Sequence, residues 1–239
     1  MTSHSVVVLI AGDPVPETRR TRGGFADLIR GASAAFSGVK WLDYDVRESD
    51  VLPELTDAVG VIVTGSASSV TEAAPWIRRT AERLRELVHA EVPLLGICFG
   101  HQLMAEALGG RVTKNPRGRE IGTVDFTLTS TDPVFGERGS WLVSSSHMDS
   151  VVELPDTAEL LGFTALEPRA AVRFGPRAWG VQFHPEIDAA VMRQYLEARK
   201  EALVAEGLDS AAFLRDARDT PRGAQVIENF LRFAVAARG

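Results

Sequence analysis

The feature that most constrains this chain is a set of short apolar runs that do not alternate. "SVVVLIAG" (Ser5–Gly12), "VGVIVTG" (Val59–Gly65) and "VPLLGI" (Val92–Ile97) are continuous, and the first two end in glycine. A strand with one wet face alternates apolar and polar residues, whereas a strand covered on both faces need not. Such runs find a stable place in a parallel sheet with helices on both sides. The segments between them fit. "FADLIRGASAAF" (Phe25–Phe36) has helical spacing, and "VKWLDYD" (Val39–Asp45) reads as another strand. "AAPWIRRTAERLRELVHA" (Ala73–Ala90) is an amphipathic helix with Pro75 in its first turn, where proline is tolerated. "GHQLMAEALGG" (Gly100–Gly110) is a helix closed by glycines. The expected fold class is therefore α/β, a mostly parallel sheet flanked by helices.

After Gly110 the texture changes. "IGTVDFTLT", "WLVSSSH", "AELLGFTA", "AAVRFG" and "AWGVQFH" are short strands separated by Pro, Gly, Asp and Ser, which suits additional antiparallel strands on or beside the first sheet. From Asp188 the pattern is helical, over 189–206, 210–218 and 223–237. No linker composition interrupts the chain, so a single domain over 1–239 is expected, with 188–221 a helical insertion before the last helix. "PETRRTRGG" (Pro16–Gly24) reads as a mobile loop after the first strand.

Several function classes are disfavoured. A net charge of −6 speaks against nucleic acid, whose phosphates want a basic face. "VVVLIA" is too short for a signal peptide or a membrane span. One cysteine in 239 residues cannot form an internal disulfide, so a cytoplasmic setting is expected. No Cys/His cluster has zinc-ligand spacing, and no Gly-x-x-x-x-Gly-Lys-Ser/Thr phosphate loop is present, so neither metal nor cofactor is expected. "KNPRGRE" (Lys114–Glu120) is basic and reads as a solvated turn or an anion site.

The lone cysteine, Cys98, sits in Gly96-Ile97-Cys98-Phe99-Gly100, between a buried strand and a helix. A lone cysteine is often a small buried hydrophobe. This position has instead the form of a nucleophile elbow, where flanking glycines let neighbouring chain pass close by. The helix N-terminus favours thiolate over thiol, and the Phe99 backbone N–H would point at a developing oxyanion. A thiolate nucleophile needs a base and an orienter. Of five histidines, His4 lies at the terminus, His89 near a helix end, and His101 where packing explains it. His147, in "SSSHMDS", reads as structural or substrate-lining. His184 ends an apolar strand in "GVQFHPEI" with Glu186 two residues on, and strand ends are where a parallel sheet presents its chemistry. Cys98, His184 and Glu186 form the candidate constellation.

"GICFGHQ" with "GVQFHPE" resembles the class I glutamine amidotransferase domain family. The resemblance implies a flavodoxin-like sheet, a Cys98–His184–Glu186 triad and a γ-glutamyl thioester. It places "VTGSASSV" (Val63–Val70) at an oxyanion loop, with backbone near Gly65 and Ser66 joining Phe99, and makes Gln102 a substrate-binding residue. "GREIG" (Gly118–Gly122) and "SHMDSV" (Ser146–Val151) resemble the GMP synthetase branch, making Ser146 and His147 substrate-binding, though Met148 stands where that branch has glycine. The implied reaction is hydrolysis of the glutamine γ-carboxamide to glutamate and ammonia. The ammonia would pass to a separate synthetase subunit or to water. Two alternatives remain at this stage: a γ-glutamyl peptidase using the same triad on another γ-glutamyl compound, and a non-catalytic regulatory subunit on this fold.

Overall fold

A computed structural model describes residues 5–48, 52 and 54–237; His4 lies outside them. The chain runs β1 (Ser5–Ile10), α1 (Pro16–Arg22), α2 (Phe25–Ala32), β2 (Lys40–Asp45), β3 (Gly60–Val63), α3 (Pro75–His89), β4 (Leu94–Ile97) and α4 (Phe99–Ala107). It continues through β5 (Arg111–Lys114), β6 (Glu120–Leu128), β7 (Gly139–His147), β8 (Asp149–Glu153), β9 (Glu159–Thr164), β10 (Ala171–Gly175) and β11 (Ala178–Val181). It closes with α5 (Ala189–Ala198), α6 (Lys200–Ala205), α7 (Ser210–Asp216) and α8 (Pro221–Ala236).

Nine strands form one sheet in the order β2-β1-β3-β4-β11-β10-β9-β6-β7. The first five are parallel, which is the flavodoxin-like order with β11 as the fifth strand. The later strands extend this same sheet antiparallel from β11 through β10, β9, β6 and β7. The non-alternating runs land where two-sided burial demands: β3 and β4 are buried at every residue and β1 at all but Ile10, while "AWGVQFH", read among the antiparallel strands, forms β11, which is fully buried and parallel to β4. "KWLDYD" alternates more and forms the half-exposed edge strand β2.

Two apolar layers cover the sheet. One joins Val6, Val8, Ile62, Leu95 and Trp179 to Ala26 and Ile29 of α2 and to Val226, Ile227 and Phe230 of α8. The other joins Val7, Leu9, Val61 and Leu94 to Leu84 and Leu87 of α3 and to Leu103 and Met104 of α4. A third cluster ties Met192, Tyr195, Leu196 and Leu203 of the 188–221 segment to Phe25, Leu28 and Ile121.

Three local readings are corrected. Residues 16–22 are helical, not a loop. Pro16 and Glu17 stand in the first turn, and Arg19, Arg20 and Arg22 follow toward the C-terminus. The helix buries only Thr18, whose hydroxyl donates to Gln194 Oε1 at 2.7 Å. A helix whose single buried residue is polar, and whose other ties include Thr21 to Gln194 and Arg22 to Asp188, shows no apolar period. β5 and β8 pair as a separate two-stranded sheet that the sequence reading lacks. The helix expected over 189–206 is broken at Arg199, which ends α5 and precedes α6.

Candidate active site

The register of the parallel strands decides what meets at their carboxyl edge. Val63 lies beside Gly96, and Ile97 beside Val181. The residues that follow these three strands, around Gly65, Cys98 and His184, therefore emerge together.

Cys98 occupies the turn between β4 and α4 with φ 50° and ψ −100°. A non-glycine residue there is strained, by about 1–3 kcal/mol. The surroundings hold it: its N–H donates to Val181 O at 2.7 Å and its carbonyl accepts from Gln102 N at 3.1 Å. The two flanking glycines answer to contact. A Cβ on Gly96 would lie 2.6 Å from the Gly100 carbonyl, and one on Gly100 would lie 2.6 Å from Val63 O. Only glycine lets the elbow lie this close to its own helix and to β3. Phe99 opens α4, where backbone N–H groups have no partner within the helix.

His184 is buried, and its N–H donates to Ser144 O at 2.7 Å, pinning the strand end to β7. Its ring stacks on Phe25 at 6.0 Å, with Tyr195 of α5 6.4 Å away. Nδ1 lies 2.7 Å from Glu186 Oε1, and the ring shares the space over Gly65 with Cys98: a Cβ on Gly65 would lie 2.9 Å from His184 Cε1 and 3.7 Å from Cys98 Cβ. Burial pulls the imidazole pKa down, but the charges of Glu186 and Cys98 and their hydrogen bonds overcome it and push it up to about 10. Glu186 Oε2 is buried without a partner among the described residues, so this carboxylate serves His184.

A cavity of about 280 Å³ opens beside Cys98, lined in part by Ser66, Gln102, Arg119, Ser146, His147 and Arg199. Ser66, Gln102, Ser146 and His147 thus line one cavity with the cysteine. Gln102 is more committed than its expected role implies. Its amide N–H groups donate to Asp149 O and to Gln182 Oε1, each at 3.0 Å, leaving only its oxygen unspoken for. His147 is fixed at both ring nitrogens, 2.9 Å from Asp149 O and 3.2 Å from Glu120 Oε2. Burial raises the Glu120 carboxyl, but hydrogen bonds from His147, Thr164 and Ser145 outweigh it and hold the group below the usual carboxylate range. His147 is a braced wall. His101 sits in the core against Phe174, and burial first, then His147, lower its pKa to about 3, so it stays neutral.

Sequence reading missed three residues here. Gln182 donates to Cys98 Sγ at 3.5 Å. It stands two positions before His184, so strand alternation was a signal for it. Arg119 belongs to the basic turn read as a solvated turn or an anion site; its side chain is 13% exposed and pairs with Glu206 beside the cavity. Arg199 carried no sequence signal. Among the described residues no cluster of His, Cys, Asp and Glu is arranged to hold a metal, and no helix is long and apolar enough to cross a membrane.

A cysteine on a strained strand–helix elbow, beside a carboxylate-bound histidine on the neighbouring strand end, defines an α/β protein of the cysteine-elbow type on a flavodoxin-like sheet. Residues 28–200 match the family glutamine amidotransferase class-I, and the chain belongs to that family. A GMP synthase of Porphyromonas gingivalis is 36% identical over 147 residues, 60% of this chain but 28% of that protein. Gamma-glutamyl peptidase 4 of Arabidopsis thaliana is 26% identical over 202 residues, 80% of each protein. The crystal structure of a glutamine amidotransferase from Thermotoga maritima superposes with a TM-score of 0.72 over 98% of this chain and 97% of that one. Its identity of 24% makes that a likeness of fold.

Proposed function

We propose that this protein hydrolyses the γ-amide of glutamine or of a related γ-glutamyl compound through Cys98. The observation that carries the reading is the Cys98–His184–Glu186 arrangement: a cysteine at φ 50°, a histidine that meets it across Gly65, and a carboxylate 2.7 Å from that histidine's Nδ1. The Cys98 thiolate adds to the amide carbon. The carbonyl oxygen gathers charge and is met by the Phe99 N–H and by backbone near Gly65 and Ser66. The C–N bond breaks as His184 gives its proton to the departing nitrogen, leaving a γ-glutamyl thioester. Water then gives a proton to His184 and attacks the thioester carbon, the C–S bond breaks, and glutamate leaves. Glu186 keeps the imidazole oriented and favours its cationic form. Gln102, Ser146 and His147 shape the glutamyl pocket. The whole chain acts as one domain in this reading.

For glutamine, the released ammonia goes to a separate synthetase subunit or to water. The γ-glutamyl peptidase reading has its own support, because that relative matches over four-fifths of both proteins while the GMP synthase match stops at 28% of the synthase. Glutamate release by the purified protein from glutamine and from γ-glutamyl dipeptides separates the two readings. Cys98→Ser should lose at least about 10³-fold on whichever substrate is turned over. Full activity in that variant would end the proposal.

A further inference from the structure

The cavity beside Cys98 contains two arginines, and they differ in one respect. Arg119 is neutralised: its Nε and Nη2 donate to Glu206 Oε2 and Oε1, each at 2.8 Å, in a two-pronged ion pair. Arg199 has no acidic partner within ion-pair distance among the described residues. Its guanidinium lies 4.8 Å over the Tyr195 ring, the same ring that approaches His184. Its Nη1 is fully buried and finds no acceptor among the described residues. The cavity's two acids, Glu72 and Asp149, hydrogen bond Ser69 instead, and neither lies within ion-pair distance of Arg199.

A buried guanidinium N–H without an acceptor is costly, and such a group calls for an explanation. Burial lowers the Arg199 pKa, and the neighbouring Arg119 charge lowers it further, so the fold makes this position unfavourable for a cation. Packing alone does not explain the choice of arginine, since a neutral side chain could cap α5 and rest on Tyr195. Every γ-glutamyl compound carries an α-carboxylate, and a γ-glutamyl peptide carries a second carboxylate on its leaving group. A guanidinium fork matches a carboxylate in shape and charge.

We propose that Arg199 is a specificity-determining residue that receives a carboxylate of the substrate in the Cys98 cavity. This rests on the γ-glutamyl reading above. It also gives the 188–221 segment two roles at once. Its apolar side completes the core around Met192 and Leu196, and the break between α5 and α6 brings a cation to the reaction cavity.

Binding tests the proposal without turnover. In a full-length Cys98→Ala background, calorimetry compares L-glutamine with its α-amide, and γ-glutamylglycine with its C-terminal amide. The background protein should prefer the carboxylate member of at least one pair by about 10- to 100-fold, the range for a hydrogen bond to a charged group. Adding Arg199→Met should abolish that preference, and Arg199→Lys should restore part of it. The glutamine pair reports on the α-carboxylate and the dipeptide pair on the leaving-group carboxylate. Arg199→Gln replaces the Met variant if melting shows that Met does not fold. An unchanged preference after loss of the guanidinium overturns the proposal, as does a background protein that binds none of the four compounds. The two readings fail separately. Arg199-dependent binding with no glutamate release by wild type refutes the hydrolase and leaves the receptor. Glutamate release that ignores Arg199 does the reverse.

Discussion

Gly65→Ala places one methyl group where the proposed chemistry has least room. A Cβ built on Gly65 lies 2.9 Å from His184 Cε1, 3.6 Å from Phe25 Cζ and 3.7 Å from Cys98 Cβ. The last two are ordinary contacts, and the first is short of ordinary contact by about half an ångström, with attraction between carbons optimal at about 3.5–4.0 Å. The imidazole must give way, but Phe25 stacks on it, Tyr195 flanks it and Glu186 holds Nδ1. Its remaining freedom is to tilt relative to the Cys98 sulfur. A misplacement of about 1 Å costs about 10²-fold, so half that displacement should lower the rate of glutamate release by roughly 10- to 100-fold, or about 1.4–2.7 kcal/mol of activation free energy. Overpacking costs stability by about 1–3 kcal/mol, while the alanine returns about 0.4–1 kcal/mol by restricting the unfolded chain. Activity should therefore fall more steeply than melting temperature. Steady-state rates and thermal melts on the same samples decide. A Gly65→Ala protein with wild-type rate would refute the claim that Cys98 and His184 must stay in register across this glycine.

Other outcomes follow from the same geometry. NMR titration should find the His184 imidazole still protonated well above neutral pH, titrating near 10, and Glu186→Gln should lower that value because it removes the negative charge that does most to hold the proton on the ring. If protonated His184 delivers the proton to the departing nitrogen, acylation should decline as pH rises through about 10 in wild type, and the decline should begin at lower pH in Glu186→Gln. Phe126 is fully buried among Phe135, Trp141 and Phe183, next to the strand end that carries His184, so Phe126→Ala should lose about 3–5 kcal/mol in denaturant unfolding. Deleting 188–221 should abolish folding rather than merely alter specificity, because Met192, Tyr195 and Leu196 are core residues; a folded, cooperative deletion protein would contradict that placement.

β1, β3 and β4 were legible because they carry unbroken apolar runs for burial on both faces, whereas β11, grouped by sequence with the antiparallel strands, pairs parallel to β4 across more than 80 residues of chain, which no local pattern announces. Cys98 was legible for a related reason. Two glycines flank it because the chain crosses itself within contact distance on both sides, and that constraint leaves a short local signature. His184 and Glu186 could be read from a strand end followed by proline. The remainder depends on contacts between distant segments. Helix α1 is tied to α5 and its cap by the polar side chains of Thr18, Thr21 and Arg22, so no apolar period marks it. The break at Arg199 carries no glycine or proline; "QYLEARKEALVA" reads as one helix, and tertiary packing divides it. The basic turn at Arg119 looks solvated until Glu206, 87 residues later, closes over it.

The central claim is that Cys98 forms a covalent γ-glutamyl intermediate. Peptide-mapped mass spectrometry after incubation with a glutamine-analogue alkylating agent tests it most directly. One adduct per chain is expected, on Cys98, slowed by prior addition of the true γ-glutamyl substrate and absent in Cys98→Ala. No adduct, or an adduct on another residue that persists in Cys98→Ala, would contradict it.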